Sequence, residues 1–184
     1  MFDEISPTYD FINHFLSFGL DWYWRRAVAT RIPSDTEHLL DLATGTGDQI
    51  FACMKARPSI ETALGLDISK GMLRIGDMKL MRKPYAHRVS LLEGSACSIP
   101  LESESVDCIT MSFGIRNVAL PQRCFEEMYR VLKRNGRAFI LEFSLPSNSL
   151  LRGAHLCYLR YILPAVGGGI SKRRSAYTYL NKTI

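Results

Sequence analysis

The residues best suited to chemistry lie in one glycine-containing turn and at the end of the strand expected after it. An apolar run passes through Asp41 into the turn at residues 43–48, which contains Gly45 and Gly47. Glycines let the backbone turn sharply and approach a ligand closely. Asp67 follows at the end of a second apolar run, where a carboxylate can accept hydrogen bonds from both hydroxyls of a ribose. This spacing predicts a nucleoside site, and the alternative is a turn that only connects a strand to a helix.

The residues around the turn indicate which nucleoside it would hold. Ile50 occupies the position where the dinucleotide fingerprint has its third glycine, and the carboxylates of Asp41 and Asp48 flank the turn. A pyrophosphate favours a helix N-terminus without an acidic side chain beside it. Two carboxylates suit a cationic ligand better, so we expect S-adenosylmethionine, which carries a sulfonium, an ammonium and no phosphate. An NAD-dependent enzyme is the disfavoured alternative.

The elements that must position these residues follow from the alternation of apolar and polar segments. Strands are predicted at residues 38–43, 62–67, 89–93, 106–112 and 137–143. Helices are predicted at residues 8–30 with a break at 17–19, at 49–55, from Ser69 onward, and at 122–132 with a stop at Asn135-Gly136. Strands that alternate with helices predict an α/β domain with a mainly parallel sheet, in which ligands bind at the carboxyl ends of the strands.

Composition narrows the class of protein. The chain has 184 residues, of which 47% are hydrophobic, and this is enough for one domain with a substantial core. Five scattered cysteines without a CxxC pair predict reduced thiols in a cytosolic protein and no zinc site. The N-terminus lacks the pattern of a signal peptide, and we expect no segment to span a bilayer.

The basic charge is concentrated at the C-terminus. Six of the 23 basic residues and none of the 18 acidic ones follow Glu142, which leaves residues 1–142 with a net charge of −1. The basic residues at 146–184 are mixed with leucines and tyrosines, a combination that binds anionic membrane surfaces. A solvated face beside a buried helix is the alternative, and nucleic acid is not an expected partner.

Several stretches of the sequence resemble a known family. Asp41-x-Ala-x-Gly-Thr-Gly followed by Asp67 resembles the class I S-adenosylmethionine-dependent methyltransferases. Three further stretches are similar to the C-methyltransferases of menaquinone and ubiquinone biosynthesis: YDFIN with LSFGL and WR at residues 9–25, SFGIRNV at 112–118, and YRVLK to LEFS at 129–144. This resemblance covers essentially the whole chain.

The resemblance implies a fold and a cofactor. It implies a Rossmann-like class I methyltransferase fold in one domain, 1–184, with helices on both faces of the sheet and without the closing strands of a seven-stranded sheet. The domain would comprise a helical cap at 1–35, a nucleoside-binding core at 36–145 and a substrate or membrane segment at 146–184. The cofactor would be S-adenosylmethionine, bound by residues of which Gly45, Thr46 and Gly47 form the turn, Asp67 binds the ribose, Ser95 and Ala96 flank the adenine, and Ser112 closes the site.

The resemblance also implies a reaction. The acceptor would be a membrane-borne polyprenyl quinol, either demethylmenaquinol or 2-polyprenyl-6-methoxy-1,4-benzoquinol, methylated on a ring carbon without a metal. Arg116 and Asn117 are the candidate catalytic residues, because a cation can stabilise the ring oxyanion and an amide can donate to a ring oxygen. The alternatives are a structural ion pair for Arg116 and a turn cap for Asn117. Tyr9 is a weaker candidate for a catalytic role. A homodimer is among the expected assemblies.

Two other functions stay open at this point. The first is a methyltransferase that acts on another small molecule. The second is a protein that binds S-adenosylmethionine without activity.

Overall fold

The computed structural model describes residues 14, 17, 19–144, 147–149 and 152–153, so Tyr9 and most of the segment 146–184 lie outside the described residues. The α-helices are α1 (Leu20–Arg31), α2 (Asp48–Ala56), α3 (Lys70–Leu80) and α4 (Pro121–Val131). The strands are β1 (His38–Leu42), β2 (Thr62–Asp67), β3 (Val89–Glu93), β4 (Val106–Ser112) and β5 (Leu132–Leu141). Two short 3-10 turns cover Ala86–Arg88 and Ile115–Asn117.

The described strands form one sheet in the order β3-β2-β1-β4-β5, with every neighbouring pair parallel. Leu40 in β1 lies between Leu64 of β2 and Ile109 of β4. Because chain order reverses between β1 and β4, their carboxyl ends flank the crevice in which ligands of such sheets bind.

Apolar residues cover both faces of the sheet. Neighbouring residues of β1 point to opposite faces, so that Leu39 packs with Ile50 of α2 in one cluster and Leu40 packs with Ile109 and Val131 of α4 in the other. These residues are almost completely buried. The predicted α/β fold, with helices on both faces of a parallel sheet, is confirmed.

The boundary between α4 and β5 differs from the prediction. The helix ends at Val131, and β5 begins at Leu132, whose backbone is extended. Val106 pairs with Leu132 while Cys108 pairs with Arg137, so β5 carries extra residues between these two pairs. Asn135 has a φ of 67° there. The Asn135-Gly136 pair therefore forms an irregularity inside the strand, and the prediction that it terminates the helix was wrong.

No helix among the described residues is long and apolar enough to cross a membrane.

Candidate functional site

Six of the residues singled out in the sequence come together in one pocket at the carboxyl ends of the strands. They are Gly45, Asp67, Ser95, Ala96, Ser112 and Asn117. They lie at the ends of β1, β2, β3 and β4 or shortly after them, so the parallel sheet brings them together. The described residues that line this pocket include no lysine or arginine, which suits a nucleoside without phosphates better than a dinucleotide.

The turn after β1 needs both of its glycines. Gly45 and Gly47 have φ values of 57° and 86°, in the left-handed region that side chains disfavour. A Cβ at Gly47 would also lie 2.6 Å from the ring of Phe51, which packs beneath the turn. Gly47 is followed directly by α2, so the turn sets where this helix begins.

Asp67 is fixed at the edge of the pocket by two backbone amides. Its Oδ2 accepts a hydrogen bond from the Gly45 amide at 2.8 Å, and its Oδ1 accepts one from the Ser69 amide at 2.9 Å. Ser69 in turn caps α3 by accepting from the Met72 amide. A carboxylate oxygen can accept more than one hydrogen bond, so this geometry leaves capacity for a ribose diol.

Asp41 lies beneath the turn and supports it. Its carboxylate accepts hydrogen bonds of 2.6 Å from the hydroxyls of Thr44 and Thr110, and the residue is completely buried. Burial raises the pKa of Asp41 to about 6, although the two threonine hydrogen bonds act in the opposite direction. Asp41 therefore holds the turn in place and does not line the described pocket.

Lys79 was not anticipated from the sequence. Its ammonium lies 2.5 Å from Asp48 and donates to the hydroxyl of Thr46 at 3.0 Å. The charge of Asp48 is thus compensated, and the turn presents one charge of each sign. Lys79 is contributed by α3, more than thirty residues further along the chain, so no local pattern pointed to it.

Ser112 is held by a glutamine that sequence reasoning also missed. Its hydroxyl lies 2.9 Å from Oε1 of Gln49, which is almost completely buried in α2. The amide nitrogen of Gln49 donates to the carbonyl of Arg25 at 3.4 Å. These contacts join the end of β4 to α2 and α1.

The wall formed by Ser95 and Ala96 continues into a loop that α4 holds in place. Oε2 of Glu127 accepts from the Ile99 amide at 2.8 Å, while the Arg130 guanidinium donates to the carbonyls of Ile99 and Leu101 at 2.8 and 2.7 Å. Glu127 and Arg130 also bond each other. The hydrogen bonds from Arg130 are the largest cause of a fall in the pKa of Glu127 to about 2.

We expect Glu127→Gln to lower the free energy of unfolding at neutral pH by about 1.5 kcal/mol, because it removes a charged acceptor from a buried network. The pKa of Glu127 is lower in the folded state, so its contribution is present above about pH 4.5 and is lost as pH falls towards 2. Urea unfolding at several pH values measures both effects. Glu126→Gln, at a solvent-exposed pair with Arg123, is the control and should change stability by less than about 0.5 kcal/mol. Equal stability of the two variants would contradict this role of Glu127.

Arg116 and Asn117 lie in the 3-10 turn after β4. Asn117 lines the pocket, whereas Arg116 makes an ion pair in which its Nη1 lies 2.6 Å from Oε1 of Glu142. The structural alternative for Arg116 is therefore present in the fold. Glu142 follows β5 directly and had received no role from the sequence.

Aromatic rings connect this ion pair to the pocket. Phe113, which lines the pocket, stacks on Phe143 with ring centroids 4.7 Å apart, and Trp24 of α1 contacts both rings edge-on. The guanidinium of Arg25 lies 5.3 Å from the Phe113 centroid, and that of Arg116 lies 5.3 Å from the Phe143 centroid. Each of the two stacked rings thus has a guanidinium group beside it, and both the ring stacking and the cation–π contacts are favourable.

The three metal-ligating side chains that meet elsewhere in the described part of the chain have another role. Glu37, His38 and Asp107 lie near the amino ends of β1 and β4, away from the pocket. Asp107 accepts from the backbone amides of Glu37 and His38 and bonds Lys133 at 2.8 Å. These contacts give the cluster a structural role.

Known proteins resemble this chain over its whole length. A sequence profile of the ubiE/COQ5 methyltransferase family matches residues 1–184. A ubiquinone/menaquinone biosynthesis C-methyltransferase from Syntrophotalea carbinolica is 43% identical, over the whole of this chain and 76% of the relative. A demethylmenaquinone methyltransferase from Bacteroides fragilis is 39% identical, over the whole chain and 75% of the relative.

Solved structures share the fold. The crystal structure of a putative S-adenosyl-L-methionine-dependent methyltransferase from Methanococcus maripaludis superposes with a TM-score of 0.71. That match covers the whole of this chain and 83% of the other, at 19% sequence identity.

Proposed function

The chain belongs to the ubiE/COQ5 methyltransferase family, and from this premise we propose that it transfers a methyl group to a ring carbon of a polyprenylated quinol. The protein is an S-adenosylmethionine-dependent methyltransferase. Relatives whose names specify the biosynthesis of ubiquinone and menaquinone, or demethylmenaquinone, support the choice of acceptor. The observation that carries the proposal is the position of the aromatic pair Phe113–Phe143 and the Arg116–Glu142 ion pair beside the nucleoside pocket.

The pocket fits S-adenosylmethionine in its donors and acceptors. Asp67 would accept from the ribose hydroxyls, and Ser95 and Ala96 would flank the adenine. Outside the pocket lining, at the adjoining turn, Asp48 and Lys79 offer opposite charges that match a zwitterionic amino acid group. When bound, this cofactor supplies a methyl group on a positively charged sulfur, a good electrophile with a neutral leaving group.

The acceptor half of the site must make a ring carbon nucleophilic. Loss of a proton from a ring hydroxyl pushes electron density onto the ring, and the resulting oxyanion needs a cation or hydrogen-bond donors in a water-poor environment. Arg116 supplies the cation and Asn117 supplies a donor on the pocket wall. The rings of Phe113 and Phe143 supply the apolar surface that an aromatic acceptor needs. The candidate role of Tyr9 stays a prediction, since Tyr9 lies outside the described residues.

We place this activity at the surface of a membrane facing the cytoplasm. A polyprenyl tail partitions into the bilayer, and the basic, apolar sequence at 146–184 suits contact with anionic lipid. The four described cysteines, Cys53, Cys97, Cys108 and Cys124, are free thiols, a state that a reducing compartment would maintain.

Turnover with defined acceptors tests the proposal. We expect the protein, supplied with S-adenosylmethionine, to methylate chemically reduced demethylmenaquinol or 2-polyprenyl-6-methoxy-1,4-benzoquinol, as shown by mass spectrometry of the product. The products of the two acceptors, measured side by side, would distinguish naphthoquinol from benzoquinol specificity. Catechol, a soluble acceptor without a prenyl tail, is the comparison for the prenylated quinols in this assay. Calorimetric binding of S-adenosylmethionine without methylation of any quinol would contradict the proposal and favour a binding protein.

A further inference from the structure

The Arg116–Glu142 ion pair is incompletely satisfied. The two residues meet through one contact of 2.6 Å between Nη1 and Oε1, and Oε1 also accepts from the Phe143 amide. Oε2 of Glu142 and Nε of Arg116 are buried and have no hydrogen-bond partner. A structural arginine–carboxylate pair commonly uses two parallel hydrogen bonds, which would satisfy these atoms. Leaving a buried polar atom without a hydrogen-bond partner is unfavourable, so this geometry calls for a ligand.

The two unpaired atoms have complementary chemistry. Nε of Arg116 is a donor and Oε2 of Glu142 is an acceptor, and both belong to the same ion pair. A hydroxyl group is the simplest ligand that satisfies both, because its O–H donates while its oxygen accepts. A phenolic hydroxyl fits best, since the ring of Phe143 already lies against the Arg116 guanidinium and stacks on Phe113 of the pocket wall.

We propose that Glu142 is the catalytic base that takes the proton from the ring hydroxyl of the acceptor, while Arg116 holds the resulting oxyanion. This inference rests on the proposed function. The O–H bond breaks, its proton goes to Oε2 of Glu142, and its electron pair stays on the ring oxygen. The ring then forms a bond to the methyl carbon as the bond from that carbon to sulfur breaks. Loss of the ring C–H proton to water restores aromaticity, and Glu142 returns its proton to the ring oxygen.

The position of Glu142 suits this role. It follows β5 at the same edge of the sheet as Ser112, with which Leu141 pairs. The side chains of Arg116 and Glu142 are 13% and 21% exposed, so the pair is largely shielded from bulk water. A base in such surroundings works without competition from bulk water.

Glu142→Gln is the direct test, because glutamine keeps an oxygen for Arg116 and loses the ability to take a proton. With a quinol that the wild type methylates, we expect kcat to fall at least about 100-fold, within the range for general acid–base catalysis. The dissociation constant of S-adenosylmethionine and the melting temperature should change little. In Glu142→Ala, added formate should restore part of the activity, which a purely structural role would not produce.

The matched control is Glu93→Gln. Glu93 also ends a strand at this edge of the sheet and also pairs with a cation, Lys70, but on the exposed surface. We expect its kcat to stay within about 2-fold of the wild type, because the Glu93 side chain is exposed and lies outside the pocket lining. A kcat for Glu142→Gln within a few-fold of the control would overturn the role of Glu142.

A second measurement uses the wild type, so it does not depend on the variant folding. A hydroquinone with free hydroxyls should inhibit methyl transfer at lower concentration than its dimethyl ether, which cannot donate to Glu142. Equal inhibition would overturn the inference. A wild type that methylates no quinol would instead overturn the proposed function, and this inference with it.

Discussion

Replacing Asp67 with asparagine is expected to raise the dissociation constant of S-adenosylmethionine about 100-fold. A hydrogen bond to a charged acceptor contributes about 1.5–3 kcal/mol, and 2.7 kcal/mol corresponds to a factor of 100 in affinity. Both oxygens of Asp67 already face backbone donors, the amides of Gly45 and Ser69. Asparagine would place its NH2 group opposite one of these two backbone amides. That amide would lose its hydrogen-bond acceptor, and the ribose would lose an acceptor as well.

Isothermal titration calorimetry measures this effect. Asp77→Asn is a matched control, since Asp77 is an exposed acid on α3 and lies outside the pocket lining. NAD should bind neither the wild type nor the variants. Unchanged affinity for S-adenosylmethionine in Asp67→Asn would mean that the ribose is held by other residues.

Replacing Asp41 with asparagine is expected to stabilise the protein at neutral pH by about 3 kcal/mol. Burial raises the pKa of Asp41 from 3.8 to about 6, so the folded state binds this proton more tightly than the unfolded state. The corresponding stability is fully present below about pH 4 and is lost as pH rises to about 6. Each pKa unit corresponds to about 1.4 kcal/mol, so the rise from 3.8 to about 6 corresponds to about 3 kcal/mol. Asp41→Asn should recover this free energy because asparagine does not ionise. Asparagine can still bond Thr44 and Thr110, because a hydroxyl both donates and accepts.

Urea unfolding from pH 4 to 8 measures this gain. The wild type and Asp41→Asn should have similar stability near pH 4 and diverge as pH rises. Asp35→Asn, at an exposed acid, should follow the wild type throughout. A variant less stable than the wild type at neutral pH would mean that the Asp41 carboxylate stabilises the fold through charge, with Arg25 as its partner.

The nucleoside half of the site could be predicted because it depends on local patterns. Gly45 and Asp67 each end an apolar run, and the rule for parallel sheets places such ends at one edge. The expected fold and cofactor are confirmed, as is membership of the methyltransferase family. The individual roles of the pocket residues stay predictions.

The residues that were missed reach the site through tertiary contacts. Lys79 comes from α3, Gln49 holds Ser112 from within α2, and Glu142 meets Arg116 only because β4 pairs with β5. Lysine, glutamine and glutamate are ordinary residue types in helices and at strand ends, so nothing in the sequence itself marks these three residues as part of the site. The predicted start of β5 was wrong for a related reason. The helical spacing of apolar residues continues to Leu132, but Leu132 pairs with Val106 of β4 and therefore belongs to the strand.

The order of the strands also sets the order in which the site can assemble during synthesis. Residues 38–93 contain β1, β2 and β3, and the β1–β2 and β2–β3 pairings each join strands that follow one another in the chain, so this half of the sheet can form from contiguous chain. The pairing of Leu40 with Ile109 closes a much longer loop, and such long-range parallel contacts are slow to form. Arg116 and Glu142 emerge from the ribosome after that loop. The half that recognises the methyl donor is therefore encoded, and available to fold, before the half that activates the acceptor.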